Sequence, residues 1–273
     1  MPSSVLCVLA AFLVVASRAD FASMSSSIPR LSNLRAYTSF SALASPLADE
    51  SGHGSDLATR DGYGGAAYAR CDNPPCHVRL SPGSSAGLVA PAGLGQSSNG
   101  TTVCIRYRVW RPADPMQGSG VVLRLLPINN DRPSMGSIKY YSSDPSLQTY
   151  TVTDASVLYE QWSVTPTADE SGAFTHVCLA WLLHGAESQL RHLLAVDTST
   201  PAILCPANNC DAEQQNTPMV GPDTIMCIGC GGFPEANRQS DMDVATFAVW
   251  DTALSQTEMR TYIDLVAAQA KHA

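Results

Sequence analysis

The chain reads as an all-β protein, a two-sheet antiparallel jelly-roll sandwich with one short C-terminal helix packed on it. Three observations predict this. Short runs rich in Val, Ile, Tyr, Thr and Trp recur with turn residues between them. Only 15% of the residues are charged, while Gly and Pro number 19 and 18, a composition of strands and turns rather than long surface helices. A single segment near the C-terminus carries a helix-start signal followed by apolar residues at helical spacing.

Taken in order, residues 1–19 are expected to be a signal peptide. Val5 to Ala16 is almost free of polar residues, and Ser17 and Ala19 place small side chains where a signal peptidase reads. The apolar run is shorter than the ~18–20 residues that anchor a chain across a bilayer. Residues 20–30 are Ser-rich and read as a flexible lead-in. One domain is expected over 31–268, within the ~200–250 residues that sandwiches fill as a unit, with 269–273 as a tail. Its strands are predicted at Leu34 to Phe40, Thr101 to Trp110, Gly120 to Leu126, Ser137 to Ser142, Gln148 to Thr153, Phe174 to Trp181, Arg191 to Val196, Thr224 to Ile228 and Asp243 to Trp250. The segments between them hold breakers such as Asn73-Pro74-Pro75, Ser81-Pro82-Gly83 and Gly221-Pro222. Ser255-Gln-Thr-Glu258 is a capping box, and Met259, Tyr262, Ile263 and Val266 behind it form one apolar face that can pack on the sandwich edge. Asn99-Gly100-Thr101 is a glycosylation acceptor in a loop just before a strand.

The formal net charge of −8, with no basic cluster, argues against nucleic acid or an anionic membrane as partner. Of nine cysteines, Cys7 falls in the leader, leaving Cys71, Cys76, Cys104, Cys178, Cys205, Cys210, Cys227 and Cys230. An even set in a secreted chain reads as disulfides. Close cysteine pairs also suit zinc, but secretion and irregular spacing count against it. A redox role for Cys227 and Cys230 lacks the strand-then-helix setting such a pair needs.

Phe174-Thr-His176-Val-Cys178-Leu-Ala-Trp181 resembles the pentraxin signature at His176, Cys178 and Trp181, with Ala180 and Leu183 standing where that family has hydroxyl residues. Thr102 to Tyr107 resembles the earlier pentraxin strand whose cysteine bridges to the signature cysteine. Phe247 to Glu258 is similar to the closing strand and helix of pentraxins and laminin-G-like domains, and Asp49-Glu-Ser51-Gly52-His53-Gly54 to an Asp-x-Ser-Gly-x-Gly loop of laminin-G-like jelly rolls. The matches run in family order from about Leu31 to Ala268. The resemblance implies a bridge from Cys104 to Cys178, clamping two β layers face to face and contributing ~4 kcal/mol by chain-entropy reasoning. The other six cysteines then fall into the pairs Cys71–Cys76, Cys205–Cys210 and Cys227–Cys230, and local pairing of every cysteine remains the alternative.

The same resemblance implies a calcium-assisted ligand site, since a hard ion takes six to eight oxygens from loops. Asn130 and Asp131 stand where pentraxins have a ligand pair, in reversed order, with Glu235 and Gln239 as the remnants of the second ligand loop. Asp49, Asp241 and Asp243 form a rival, laminin-G-like calcium set. For Asn130 and Asp131 the plainer reading is a turn. Tyr140, Tyr141, Tyr150 and Trp162 are candidates for stacking on sugar rings, while Trp110, Trp181, Trp250 and His176 read as packed strand residues. An enzyme reading finds one close acidic pair, Asp241/Asp243, and no Gly-x-Ser-x-Gly elbow. The expectation is therefore a secreted, extracellular recognition or adhesion module that binds a glycan, a phosphate-bearing headgroup or a protein. A structural component of a cell-surface or matrix assembly and a glycan-cleaving enzyme of related fold are the alternatives.

Overall fold

A computed structural model describes residues 21–41, 45, 47–59, 69–71, 75–80, 87–111, 119–127, 136–141, 147–152, 157–162, 174–184, 189–196, 222–230 and 241–269. Among these described residues lie fourteen strands in two antiparallel sheets and one C-terminal helix, the sandwich that the strand pattern predicts. In chain order the strands are β1 (Leu34–Thr38), β2 (Ala58–Thr59), β3 (Ala69–Arg70), β4 (His77–Leu80), β5 (Leu88–Val89), β6 (Thr101–Arg111), β7 (Ser119–Pro127), β8 (Gly136–Tyr141), β9 (Leu147–Val152), β10 (Val157–Trp162), β11 (Thr175–His184), β12 (Gln189–Val196), β13 (Thr224–Ile228) and β14 (Asp241–Trp250). The helix is α1 (Gln256–Gln269).

The first sheet runs β12-β11-β6-β14-β4-β3, with β1 also paired to β14; the second runs β10-β9-β8-β7-β13-β5-β2. Alternation along the strands sets which residues meet between the sheets. On β6, Val103, Ile105 and Tyr107 face inward, joined by Val177 and Leu179 of β11 and Phe247 and Val249 of β14. Leu123 and Leu125 of β7, Met226 and Ile228 of β13 and Leu88 of β5 close this core from the second sheet.

A second apolar cluster lies on the opposite face of the first sheet, beneath α1. Met259, Tyr262, Ile263 and Val266, the four residues predicted to form the helix's apolar face, are buried there against Cys104, Cys178, Ala180, Ala248 and Trp250. The helix therefore covers a sheet face, lying across β11 and β12, rather than a sandwich edge. Tyr262 meets the Trp250 ring edge-on at 4.9 Å, a geometry worth ~0.5–1.5 kcal/mol beyond its buried area. The capping box forms reciprocally: the Glu258 amide donates to Ser255 Oγ (3.3 Å) and the Ser255 amide to Glu258 Oε2 (2.8 Å).

Two expectations are corrected. Residues 20–30 were expected to be a flexible lead-in, yet residues 21–25 form a helical turn, and Met24 and Ile28 are buried in the cluster under α1. Phe21 and Met24 lie on one face of the helical turn and Ile28 follows it, and all three pack against the apolar cluster under α1. Pro29 O then accepts the Trp250 indole N–H at 3.0 Å. The Cys104–Cys178 link does not clamp two layers face to face. These residues are register partners on the neighbouring strands β6 and β11, so the disulfide staples two strands of one sheet on its helix-covered face.

Candidate functional site

The site grows from the alternation of β6. With Val103, Ile105 and Tyr107 turned inward, Thr102, Cys104, Arg106 and Arg108 emerge on the outer face of the first sheet. Neighbouring strands complete the rows: His176 of β11 and Thr246 of β14 lie opposite Arg106, while Asp243 lies opposite both Arg108 and Arg79 of β4. The outer face is thus apolar beneath α1 and charged beyond the helix end.

In the charged half, Asp243 is 1% exposed and accepts from Arg108 Nε at 2.7 Å and Arg79 Nη1 at 3.3 Å, with His77 Nε2 at 3.5 Å. The Phe174 ring covers this network: the Arg108 and Arg106 guanidinium carbons lie 4.7 and 5.6 Å from its centroid. In the apolar half, His176 is buried beside the Cys104–Cys178 sulfurs, edge-on to Tyr262 at 5.4 Å. Burial, and after it the charge of Arg106, push its imidazole down to about 3. Burial likewise raises the Tyr262 phenol.

At the boundary between the halves, β14 bulges. Val244 pairs with Tyr107 and Thr246 with Arg106, leaving Ala245 as the extra residue. Val244 and Phe247 stay in the inter-sheet core, so Ala245 and Thr246 both fall on the outer side. Over this bulge, where α1 ends, lies a cavity of about 410 Å³. Arg106, Ala245 and Thr246 line it from the sheet, Ser39 and Ser41 from the segment after β1, and Val266 from the helix. Ser39 Oγ lies 2.7 Å from Ser41 Oγ and donates to Glu50 Oε1 at 2.5 Å. Sequence reasoning missed Arg106 as a site residue, although Arg106 and Arg108 interrupt an alternation whose other side is wholly apolar.

The Asp-x-Ser-Gly-x-Gly loop has a structural role of its own. Gly52 and Gly54 take left-handed backbone angles (φ +88° and +71°), curling the chain so that the amides of Ser51 (2.9 Å), His53 (3.1 Å) and Ser55 (3.0 Å) converge on the Asp49 carboxylate. The Tyr37 amide (3.0 Å) and Ser51 hydroxyl (2.9 Å) also donate to it. Burial works to raise the Asp49 pKa, but the hydrogen bonds from Ser51, Tyr37 and Ser55 outweigh it and hold the carboxyl below its ordinary range.

These arrangements bear on the expected calcium sites. Asp49 has five donors on its two oxygens, and Asp243 faces two guanidinium groups and an imidazole, so both carboxylates are engaged by protein groups. Nor do they converge: Asp49 binds at Tyr37, whose register partner is Ala248, five residues along β14 from Asp243, or roughly 16 Å. Asp241 opens β14 at the far end. Asp49 and Asp243 are thus apart, and the Asp241 side chain lies outside the described residues. Asn130, Asp131, Glu235 and Gln239 lie outside the described residues, as do Cys205 and Cys210. The sulfurs near His176 are spent in a disulfide, so no zinc site arises there.

Cys71 is bonded to Cys76 and Cys227 to Cys230. Asn99 sits exposed in a turn just ahead of β6. The four candidate sugar-stacking aromatics fall on β8, β9 and β10: Tyr140 and Trp162 share a register row through Leu147, and Tyr150 pairs with Ser137 and Tyr159. The side chains of Tyr140, Tyr141, Tyr150 and Trp162 lie outside the described residues.

The architecture defines a class, a two-layer antiparallel β-sandwich with a helix closing one outer face, and solved structures share it. The chain resembles the binding domain of botulinum neurotoxin DC, solved in complex with SialylT, with a TM-score of 0.59 and 11% identity over 86% of this chain and 51% of the other. It resembles domain 4 of AbnA, a GH43 extracellular arabinanase from Geobacillus stearothermophilus in complex with arabinotriose, with a TM-score of 0.56 and 13% identity over 85% of this chain and 98% of that one. A Trypanosoma rangeli sialidase in complex with sialic acid aligns with a TM-score of 0.55 and 16% identity over 86% of this chain and 33% of its own. The chain thus spans about half of the toxin binding domain and a third of the sialidase. At these identities the likeness is one of fold. No protein-family model matches the chain, and no curated protein matches it in sequence.

Proposed function

We propose that the chain is a carbohydrate-recognition module that works outside the cell and holds its glycan by direct side-chain contacts rather than through calcium. The observation that carries this reading is the fold match to AbnA domain 4, which extends over 98% of a domain bound to arabinotriose. A fold does not by itself fix a function, and the local chemistry adds support. A cavity of about 410 Å³ with one guanidinium, several hydroxyls and an apolar wall suits a sugar ring, which is polar at its edge and apolar on its faces. The described carboxylates that might have served calcium are instead engaged by protein donors. Three described disulfides support an extracellular setting.

A glycan array that includes arabino-oligosaccharides and phospholipid headgroups, run with calcium and again with EDTA, tests the reading. Saturable glycan binding that survives EDTA is expected. Binding lost with EDTA would overturn the direct-contact part, and a blank array would overturn the whole. A reducing-sugar assay on the bound glycans is expected to show no release; release would replace recognition with cleavage.

A further inference from the structure

We infer that Asn99 carries an N-linked oligosaccharide, that the chain receives it before β6 docks into the first sheet, and that folding then closes the acceptor. This rests on the reading that the chain works outside the cell and adds to it a modification site and the time of its modification. Asn99-Gly100-Thr101 has what an oligosaccharyltransferase reads, an amide nitrogen to be glycosylated and a hydroxyl two residues on. In the reaction Asn99 Nδ2 bonds to the anomeric carbon of a lipid-diphosphate-linked oligosaccharide. The bond from that carbon to the diphosphate oxygen breaks, the lipid diphosphate leaves with the electron pair, and the amide gives up one proton.

The folded chain presents one half of this acceptor and hides the other. Asn99 is exposed in a turn, and its hydrogen bonds are made by the backbone: its amide donates to Ser97 Oγ at 3.0 Å and its carbonyl accepts from the Ala253 amide at 3.1 Å. Gly100, at φ +89°, bends the chain into β6. Thr101, by contrast, is 3% exposed, and its hydroxyl donates to Gly95 O at 2.7 Å, so an enzyme that must grasp that hydroxyl finds it buried and engaged. The burial comes late in synthesis. Thr101 pairs with Trp181 of β11 and Thr102 with Trp250 of β14, strands made long after β6, and the disulfide that ties β6 to β11 spans 74 residues. The acceptor therefore stays open while the chain is being made and closes as these strands pair. It lies where β14 passes into α1, since Thr102 Oγ1 donates to Thr252 O and accepts from the Leu254 amide, both at 2.8 Å. The oligosaccharide thus stands at the N-terminal end of α1, with the cavity one helix length away, roughly 20 Å.

Translation of the full chain with microsomes tests the site. The chain is expected inside the vesicles, protected from added protease and carrying one oligosaccharide that peptide-N-glycosidase removes, converting Asn99 to Asp. Thr101→Ser should keep the oligosaccharide, and Thr101→Val and Asn99→Gln should lose it. Made without oligosaccharide, Asn99→Gln should unfold at the same midpoint as the parent, because only the backbone of Asn99 is engaged. A protected chain without oligosaccharide would overturn this inference and leave the extracellular reading standing. A chain left outside the vesicles would overturn both. For the timing, chain made without oligosaccharide is offered to oligosaccharyltransferase and its lipid-linked donor, either folded or with its cysteines reduced and alkylated. The folded chain reacts only through local opening, so modification at least about tenfold slower than in the alkylated chain is expected. Equal rates would overturn the claim that folding closes the acceptor.

Discussion

At Asp49 one carboxylate organises a whole loop, and its removal separates that loop from β1. Asp49→Ala leaves the amides of Tyr37, Ser51, His53 and Ser55 without their acceptor, at positions that range from buried to exposed. A buried orphan amide costs ~1–3 kcal/mol, so a loss of about 3 kcal/mol is expected in urea unfolding. Calcium is expected to leave the unfolding midpoint of the parent chain unchanged, since this carboxylate serves amides and not a metal. His176 gives a pH dependence of definite sign. Its folded pKa of about 3 lies far below the ordinary ~6.5 because burial, and then Arg106, disfavour the imidazolium. Between those values the unfolded chain takes up a proton that the folded chain does not, so stability is lost as pH falls from about 6.5 towards 3. Urea midpoints across that range should decline in the parent and decline less in His176→Leu; equal slopes would contradict the assignment. Both residues stood out in the sequence, Asp49 within its loop motif and His176 within the signature strand. Their roles did not, because hydrogen-bond saturation and complete burial arise only when distant strands come together.

Among the elements, the long strands and the helix were legible because their patterns are local. β13 spans the predicted residues, and β6, β7, β8, β9 and β14 lie within two residues of expectation at each end. β2, β3 and β5, at two residues each, are too short for any alternation to show. β10 was also missed: Val157–Trp162 includes Glu160 and Gln161, and its strand character comes from pairing with β9 along its full length. The helical turn at 21–25 was hidden by serines, since three apolar residues signify nothing until a sheet face lies beneath them. The capping box gives the element-level prediction. Ser255→Ala removes the Glu258 amide's acceptor and should lower stability by about 1 kcal/mol, measured by urea unfolding, with the loss halved or absent if the helix is held by its apolar face alone.

For the molecule as a whole, the disulfide on the outer face matters through the chain it closes. Cys104 and Cys178 are 74 residues apart, and a loop of that length confers ~4 kcal/mol by unfolded-state entropy. Replacing both cysteines with Ala should lower the unfolding free energy by about that amount while leaving the sheet pairing of β6 and β11 intact, as read by hydrogen exchange. The overall sandwich could be anticipated from composition and strand rhythm. The cavity over the β14 bulge could not, because it is lined from β1, β6, β14 and α1, with Ser39 and Gln269 separated by most of the chain. The most direct test of the central claim, that this sandwich recognises sugar without calcium, is a glycan array read in EDTA. Saturable binding of a defined set of glycans is the predicted result. Binding that appears only when calcium is restored, or none under either condition, would contradict it.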